Sequence, residues 1–169
     1  MSDTQNQANA QNQDQSNQQI FDILRIYSKD CSLETPNVPQ IFLKVGAAKP
    51  ETSLDFNVET KEIGTDNYEV DLRLTVTCKL EEQVAFICEV HQAGVFLVKN
   101  FDEATKKYVL EAVGANILFP YAREHISSMT MRATFPPLNL NPINFEAIYR
   151  ARMAEAQKQA EKAGNSAAE

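Results

Sequence analysis

The chain has 169 residues, of which 43% are hydrophobic and 23% are charged, which is enough for one domain with a substantial core. Its 23 Asp and Glu residues outnumber its 16 Lys and Arg residues, and the formal net charge is −7 at pH 7. This charge disfavours sequence-independent binding to nucleic acids and to anionic membrane surfaces, because both depend on Lys and Arg. Basic partners, or basic segments of partners, are favoured instead.

The sequence carries no signal of a membrane or secreted protein. No stretch approaches about 18 continuous apolar residues, so we predict no membrane-spanning helix and no insertion into a membrane. The N-terminal residues lack the basic and apolar regions of a secretory signal. Cys31, Cys78 and Cys88 are odd in number and lie in apolar stretches, which is typical of unpaired thiols in a reducing compartment. We therefore expect a cytoplasmic protein.

Composition divides the chain into three segments. Residues 1–19 are rich in Gln and Asn and have no large apolar residue after Met1, so we predict a disordered tail. Residues 20–153 hold the periodic apolar segments and form the predicted domain. Residues 154–169 contain good helix formers but few core anchors, so we predict the end of a helix that frays after Gly164.

The domain begins with a strand and a long connection. The first predicted strand, about Ile20 to Leu33, has apolar residues on both faces, a pattern that favours packing on two sides, one of them against another subunit. The connection from Glu34 to Thr52 contains Pro36, Pro39 and Pro50, which exclude a helix and a central strand. A connection of 19 residues without regular structure is typical of a functional loop.

Three more strands follow in the predicted order. Residues alternate in character from Ser53 to Glu59, from Tyr68 to Leu80 and from Val84 to His91, which is the period of a sheet with one buried and one wet face. Ala93 and Gly94 then precede an apolar run, Val95–Val98, in the last of these strands. Short breaks rich in turn-forming residues join them, so the three strands form a predicted antiparallel meander. Gly94, inside the last strand, indicates a β-bulge.

The second half of the domain predicts helices. Asn100 is the expected N-cap of the first, with Glu103 three residues later as in a capping box. Apolar residues then recur at helical spacing as far as Met129, with an interruption at Gly114. Pro120 fits either the first turn of a second segment or a kink.

A terminal helix is predicted after a loop rich in Pro and Asn, residues 134–143. Asn144 is its expected N-cap. Phe145, Ile148, Tyr149 and Met153 line one stripe of this helix, which we expect to face the core.

The sequence contains no recognised catalytic, nucleotide-binding or metal-binding motif. It has Gly 5 in all and no glycine-rich phosphate loop, no G-x-S-x-G and no H-E-x-x-H. Cys88 and His91 have the spacing C-x-x-H, but strand alternation places them on opposite faces. Glu81 and Glu82 lie at a polar turn, where paired carboxylates are simply solvated. We therefore predict no enzyme, no metal and no cofactor.

Five segments resemble the SecB protein-export chaperone family in their order and spacing. They are RIYSKD at 25–30, ETPNVP at 34–39, FICEVHQ at 86–92, NILFPYARE at 116–124 and TFPPLNL at 134–140. The resemblance extends from about Ile20 to Ile148, which is nearly all of the predicted domain. NILFPYARE is highly specific, and the RIYSKD–ETPNVP pair is nearly so.

The resemblance implies both an architecture and a function. It implies an α+β subunit with a four-stranded antiparallel sheet and a long crossover loop, followed by two helices. Four subunits would form a homotetramer, a dimer of dimers, with the helices between the sheets. The family members are ATP-independent holdases, which bind unfolded secretory precursors and deliver them to the SecA ATPase motor.

The resemblance also implies a docking site for SecA on the sheet. The basic, zinc-bearing C-terminal tail of SecA docks on an acidic sheet surface, so the zinc belongs to the partner. The matching positions are Asp30, Glu34, Ile87 and Glu89. Alternation independently places Glu69 and Asp71 on the same wet face as Glu89, although an ordinary solvated face would show the same pattern.

Two further sets of residues match positions with family roles. Those that influence tetramer assembly are Cys88, Val90 and Gln92, although Cys88 and Val90 also fit plain core packing. Candidates for the apolar client groove, some of which would instead close the local core, are Val38, Ile41, Phe42, Phe135, Leu138, Leu140 and Phe145. Family members often carry a Trp in the crossover loop, whereas this chain has Trp 0 and Gly46 in that region.

A second class of function stays open at this point. An acidic sheet face and the absence of catalytic motifs also fit an oligomeric adaptor that binds one folded partner without holdase activity. Binding to the unfolded and the folded form of the same client distinguishes the two.

Overall fold

The fold is an antiparallel sheet followed by helices, and a computed structural model describes residues 18–166. The strands are β1 (Ile20–Glu34), β2 (Pro50–Gly64), β3 (Asn67–Leu80) and β4 (Gln83–Lys99). They form one four-stranded sheet in the order β1-β4-β3-β2, with every neighbouring pair antiparallel. The predicted α+β class and the predicted sheet are confirmed. The predicted disordered tail lies outside the described residues, except for its last two.

The meander of β2, β3 and β4 forms as the alternation predicts. Tight turns join the strands, with Asp66 and Glu81 in left-handed conformations at φ values of 59° and 56°. Asp tolerates this conformation better than most residues. Because β1 pairs with β4, the connection between β1 and β2 must cross the whole width of the sheet.

The crossover connection differs from the prediction in two places. It contains a short 3₁₀ helix, Gln40–Leu43, where the prolines had predicted no regular structure. Ile41 in this helix is completely buried, and its burial holds the connection against the domain. Pro50 is the first residue of β2 rather than a loop residue. It is tolerated there because β2 is an edge strand, in which a missing N–H donor costs no ladder hydrogen bond.

The predicted bulge at Gly94 is wrong. The register shifts instead leave Leu24 and Lys29 as extra residues on β1, Ile63 on β2 and Ala85 on β4. Gly94 is needed for close packing, because a Cβ there would lie 2.8 Å from the Phe96 ring and 3.1 Å from a backbone carbonyl oxygen of β1.

The first predicted helix is a continuous helical stretch in three parts: α1 (Glu103–Tyr108), a π-helical segment (Val109–Gly114) and α2 (Ala115–Arg132). Its N-cap is Asp102 rather than Asn100, because the Asp102 carboxylate accepts a hydrogen bond of 3.0 Å from the Thr105 N–H. Asn100 instead has a left-handed φ of 62° and turns the chain out of β4.

Gly114 and Pro120 do not divide this helical stretch. Gly114 has helical dihedrals, and a Cβ there would lie 3.2 Å from Val70 Cγ2, so the glycine allows the helix to approach β3 closely. Pro120 lies inside α2, after the π-helical segment, and not in the first turn of a new helix.

The terminal helix is α3 (Phe145–Ser166). Asn144 caps it as predicted, because its side-chain oxygen accepts a hydrogen bond of 2.9 Å from the Ala147 N–H. The helix continues past Gly164, where the sequence predicts fraying. Within residues 18–166, no helix is both long and apolar enough to cross a bilayer.

The core lies between one face of the sheet and the long helix. Alternate β3 residues from Val70 to Leu80 are at most 6% exposed, as are Leu118, Ala122 and Ile126 of α2. The apolar side chains of β3 and β4 therefore point toward the helices. The opposite face of the sheet carries the polar residues of the same strands, and no described element of this chain covers it.

Candidate functional site

The structure brings the four predicted SecA-docking residues onto the uncovered face of the sheet. Glu34 of β1 lies opposite Ile87 of β4, and Asp30 lies opposite His91. Glu89 is two residues from Ile87 and therefore shares its face. Asp30 and Glu34 are exposed, while Ile87 and Glu89 are partly buried. Together they form an acidic surface over β1 and β4, which we call the docking face.

Glu89 is held in place by its neighbours. Thr75 of β3 donates a hydrogen bond of 2.8 Å from Oγ1 to Glu89 Oε2, and His91 Nε2 lies 3.5 Å from Glu89 Oε1. The hydrogen bond from Thr75 is the main cause that lowers the pKa of Glu89, because it favours the ionised carboxylate. Glu89 therefore stays negatively charged at neutral pH.

The other two acidic residues predicted for this face already have partners. Lys29 Nζ lies 3.0 Å from Glu69 Oε2 and 3.1 Å from Asp71 Oδ2, and Tyr27 donates a hydrogen bond from its hydroxyl to Glu69. This bond lowers the pKa of Glu69, while burial and the same carboxylate raise the pKa of Tyr27 to about 12. His91 Nδ1 lies 3.3 Å from Asp71 Oδ1. Sequence reasoning missed this cluster, since the bulge on β1 interrupts the alternation.

The three predicted assembly residues lie on the helix-covered face. Cys88 and Val90 are fully buried and Gln92 is 2% exposed. Burial raises the pKa of the Cys88 thiol to about 11, so it is an unreactive core residue at neutral pH. Gln92 Nε2 donates a hydrogen bond of 2.9 Å to the backbone oxygen of Tyr27 and so ties β4 to β1. Within one subunit, these three residues are therefore buried in the core and are not exposed on the surface.

An apolar pocket of about 440 Å³ opens between the crossover connection, the 134–143 loop and the ends of β2, β3 and β4. Of the predicted client-binding residues, Phe135 and Leu138 line it. Phe42 does not line the pocket but packs against the Phe135 ring, with ring centroids 5.3 Å apart. The pocket is lined mainly by Val45, Ala48, Pro50, Leu80, Phe86, Phe135, Pro136, Pro137 and Leu138.

The remaining client-binding candidates lie elsewhere. Val38 is 37% exposed, whereas Ile41 and Leu140 are buried in the core. Phe145 is buried between Phe56 and Phe119, with ring centroids 5.5 Å and 5.8 Å away. The pocket residues that sequence reasoning missed include those from Val45 to Pro50, for which the apolar character of that part of the connection was the available signal, and others on β3, β4 and the 134–143 loop.

The described residues offer no metal centre. Residues 18–166 contain no group of three His, Cys, Asp or Glu side chains that could hold a metal ion. Cys88 is buried on the helix-covered face, and His91 lies on the docking face beside Asp71. The C-x-x-H spacing therefore does not bring their side chains together.

Comparison with known proteins agrees with this description. Residues 14–156 match the family model of SecB, described as preprotein translocase subunit SecB. Protein-export protein SecB of Idiomarina loihiensis is 48% identical over 157 residues, covering 92% of this chain and 92% of the relative. A SecB-like chaperone of Mycobacterium tuberculosis, solved with a ChAD peptide from the HigA1 antitoxin, has a TM-score of 0.61 at 18% identity. It covers 73% of this chain and 90% of that chain.

The fold is therefore that of the SecB-like chaperones. The chain belongs to the SecB family of protein-export chaperones. This membership confirms the resemblance seen in the sequence and the prediction that the protein is not an enzyme.

Proposed function

We propose that this protein is an ATP-independent holdase of the cytoplasm, which binds unfolded secretory precursors and delivers them to the SecA motor. The observation that carries the proposal is an apolar pocket left open on the surface of a subunit from a protein-export family. Exposed apolar surfaces of this kind mark interaction sites.

Client capture follows from the chemistry of the pocket. Apolar side chains of an unfolded chain gain about 25 cal/mol for each Å² that they bury, and ordering the chain costs several kcal/mol. Phe86, Phe135 and Leu138 provide the apolar contacts, and Pro50, Pro136 and Pro137 add to the pocket wall. A folded client keeps such side chains inside its own core, so slow-folding precursors are captured preferentially.

We propose a homotetramer, a dimer of dimers, as the working form. Apolar residues that a lone subunit leaves exposed support this assembly. They are Ile20, Ile23 and Leu24 on the edge strand β1, and Tyr121 and Met131 on α2. Four copies carry a net charge of −28, four times the −7 of one chain, which attracts basic unfolded chains. Several grooves on one particle add avidity, so weak single contacts suffice. We propose that Cys88, Val90 and Gln92 support assembly by packing the sheet against the helices.

Delivery requires a second surface, and the docking face is suited to it. Asp30, Glu34 and Glu89 present negative charge beside the apolar Ile87. The basic tail of SecA would dock there and bring its own zinc, so this chain needs no metal or other cofactor. The docking face and the apolar pocket involve different residues, so both partners can bind together.

The refolding of a slow-folding secretory precursor tests the proposal. Purified full-length protein should slow refolding in proportion to its concentration and without ATP, and sedimentation should give the mass of four chains. A precursor that refolds at its unassisted rate would reject the holdase function. A monomer in sedimentation would reject the assembly.

A second candidate is favoured by the docking face alone: an oligomeric adaptor that binds one folded partner without holding unfolded chains. Titration with the folded and the unfolded form of the same precursor separates the two. The holdase binds only the unfolded form through its apolar pocket, whereas the adaptor binds the folded form through its carboxylates.

A further inference from the structure

The uncovered sheet face contains a lysine that occupies two of its carboxylates. Lys29 Nζ lies 3.0 Å from Glu69 and 3.1 Å from Asp71. Both acids are on β3, whereas Lys29 is on β1, and β4 lies between these strands. Lys29 therefore reaches across β4 above Ala93, which pairs with Tyr27 on one side and Asp71 on the other.

Local features explain this reach. Lys29 is the extra residue of a bulge between Ser28 and Asp30, and bulges redirect side chains. Ala93 has a small side chain and is fully buried, so it leaves space above β4 for a long side chain. Tyr27 completes the cluster, because its hydroxyl group donates a hydrogen bond to the Glu69 carboxylate.

The carboxylates of the docking face have no such resident cation. In the part of the chain that the structure describes, Asp30 and Glu34 make no ion pair, and Glu89 contacts Thr75 and His91. Thr75 is uncharged, and His91 carries charge only when protonated. Arg73 adds some attraction to Glu89 without a direct ion pair. The uncovered face therefore divides into a half whose carboxylates share a resident lysine and a half whose carboxylates have none.

We propose that Lys29 is a specificity-determining residue, which offsets part of the negative charge of Glu69 and Asp71 and so directs a basic partner segment to Asp30, Glu34 and Glu89. The inference rests on the proposed function, in which a basic tail of the motor docks on this face. A basic chain that spreads over the whole sheet meets Lys29 as a like charge and is disfavoured. Discrimination by repulsion is a general way to make a charged surface selective.

The test measures the affinity of the zinc-loaded C-terminal tail peptide of SecA for the full-length protein. Lys29→Met keeps an unbranched apolar side chain and removes the charge. We expect it to bind the peptide at least about threefold more tightly at low salt, with a steeper loss of affinity as salt is added. In this variant Glu69 is the main carboxylate that loses its ion pair, since Asp71 keeps His91 as a neighbour. Lys29→Arg should retain the wild-type affinity.

A matched control separates the local effect from the change in net charge. Lys99→Met changes the charge equally at the far end of β4. It lies roughly 20 Å from Ala93 along the strand at about 3.3 Å per residue. The triple variant with Lys29→Met, Glu69→Gln and Asp71→Asn should bind no more tightly than the wild type, because both released carboxylates are then absent.

The outcomes are distinct. An affinity of Lys29→Met no higher than that of Lys99→Met, or a triple variant that stays tight, would overturn the proposal. Wild-type protein that binds no peptide would overturn both this inference and the proposed docking function. Thermal unfolding and client capture are measured for each variant, and Lys29→Gln repeats the test if Lys29→Met does not fold.

Discussion

Thr75 and Glu89 are direct cross-strand neighbours on the docking face, joined by a hydrogen bond of 2.8 Å from Thr75 Oγ1 to Glu89 Oε2. The bond fixes the carboxylate above the sheet and lowers its pKa. One hydroxyl group on β3 thus positions the carboxylate of an acidic residue on β4 that we propose for docking, and it favours the ionised form of that carboxylate.

Thr75→Val removes this hydroxyl and keeps the shape of the side chain. A hydrogen bond to a charged group contributes about 1.5 kcal/mol, so affinity for the SecA tail should fall by roughly three- to tenfold in isothermal titration calorimetry. Thr77→Val is the matched control, since Thr77 is on the same face of β3. Equal losses in the two variants would contradict a specific role for Thr75.

Glu89→Lys reverses the charge near the centre of the docking face. Binding of the SecA tail should weaken by more than about tenfold, because attraction becomes repulsion, while client capture in the refolding assay should be unchanged. Glu82→Lys makes the same reversal at the exposed β3–β4 turn and serves as the control. Loss of both activities in Glu89→Lys would indicate misfolding or disassembly instead of a docking defect.

Phe135→Ala should destabilise the fold. Phe135 is 5% exposed, and its ring packs against Phe42 and Phe86 at centroid distances of 5.3 Å and 5.2 Å. Truncation of a buried Phe costs about 3–5 kcal/mol, and chemical denaturation should show a loss of this size. Leu43→Ala, at a residue that is 86% exposed, should change the unfolding free energy by less than about 0.5 kcal/mol.

Leu138→Asp places a charge in the wall of the apolar pocket. We expect the variant to lose most of its ability to slow precursor refolding, because a client would have to bury apolar groups against a carboxylate. Its affinity for the SecA tail should be retained. Asn139→Asp adds the same charge at the next, exposed residue, and equal loss there would argue against the pocket as the client site.

The ion pair and hydrogen bond of Glu69 should make part of the unfolding free energy depend on pH in the acid range. The hydrogen bond from Tyr27 and the ion pair with Lys29 lower the pKa of Glu69 from its ordinary value of 4.5. The carboxylate therefore stabilises the fold fully above about pH 4.5, and this contribution is lost as the pH falls through the lower folded pKa.

Glu69→Gln should consequently show a smaller decrease in unfolding free energy than wild type between pH 5 and 3. Urea denaturation at a series of pH values measures this slope, with Glu62→Gln on the exposed β2–β3 hairpin as control. Parallel curves for wild type and Glu69→Gln would show that the cluster makes no pH-dependent contribution.

Much of the sheet and one helix cap were predictable from local sequence patterns, whereas the N-cap of the first helix was not. Alternation correctly predicts that the apolar β3 residues from Val70 to Leu80 are buried, because the period of two is a local property of a strand. It does not predict the burial of Asp71, which is 8% exposed. Asn144 was predictable as a cap because its hydrogen bond reaches only three residues. The N-cap at Asp102 was missed because the left-handed turn at Asn100 delays the helix by two residues.

The docking face was predictable and the pocket only partly so. Ile87 and Glu89 share a face by alternation, and β1 joins them through its pairing with β4. Ile41 and Phe145 appeared in the sequence as candidates for client contact, yet both are buried. No local pattern distinguishes an apolar loop residue that closes the core from one that lines a pocket.

The order of strands and helices, the polar face of the sheet and the SecB family were all predictable from the amino-acid sequence, because periodicity and motifs are local features of the chain. Two features became visible only in the folded domain: Lys29 reaches over Ala93 to Glu69, and the segment from Val45 to Pro50 forms a pocket wall with Phe135. These contacts depend on bulge positions, strand order and the distance between elements remote in sequence. They arise from the packing of the whole domain.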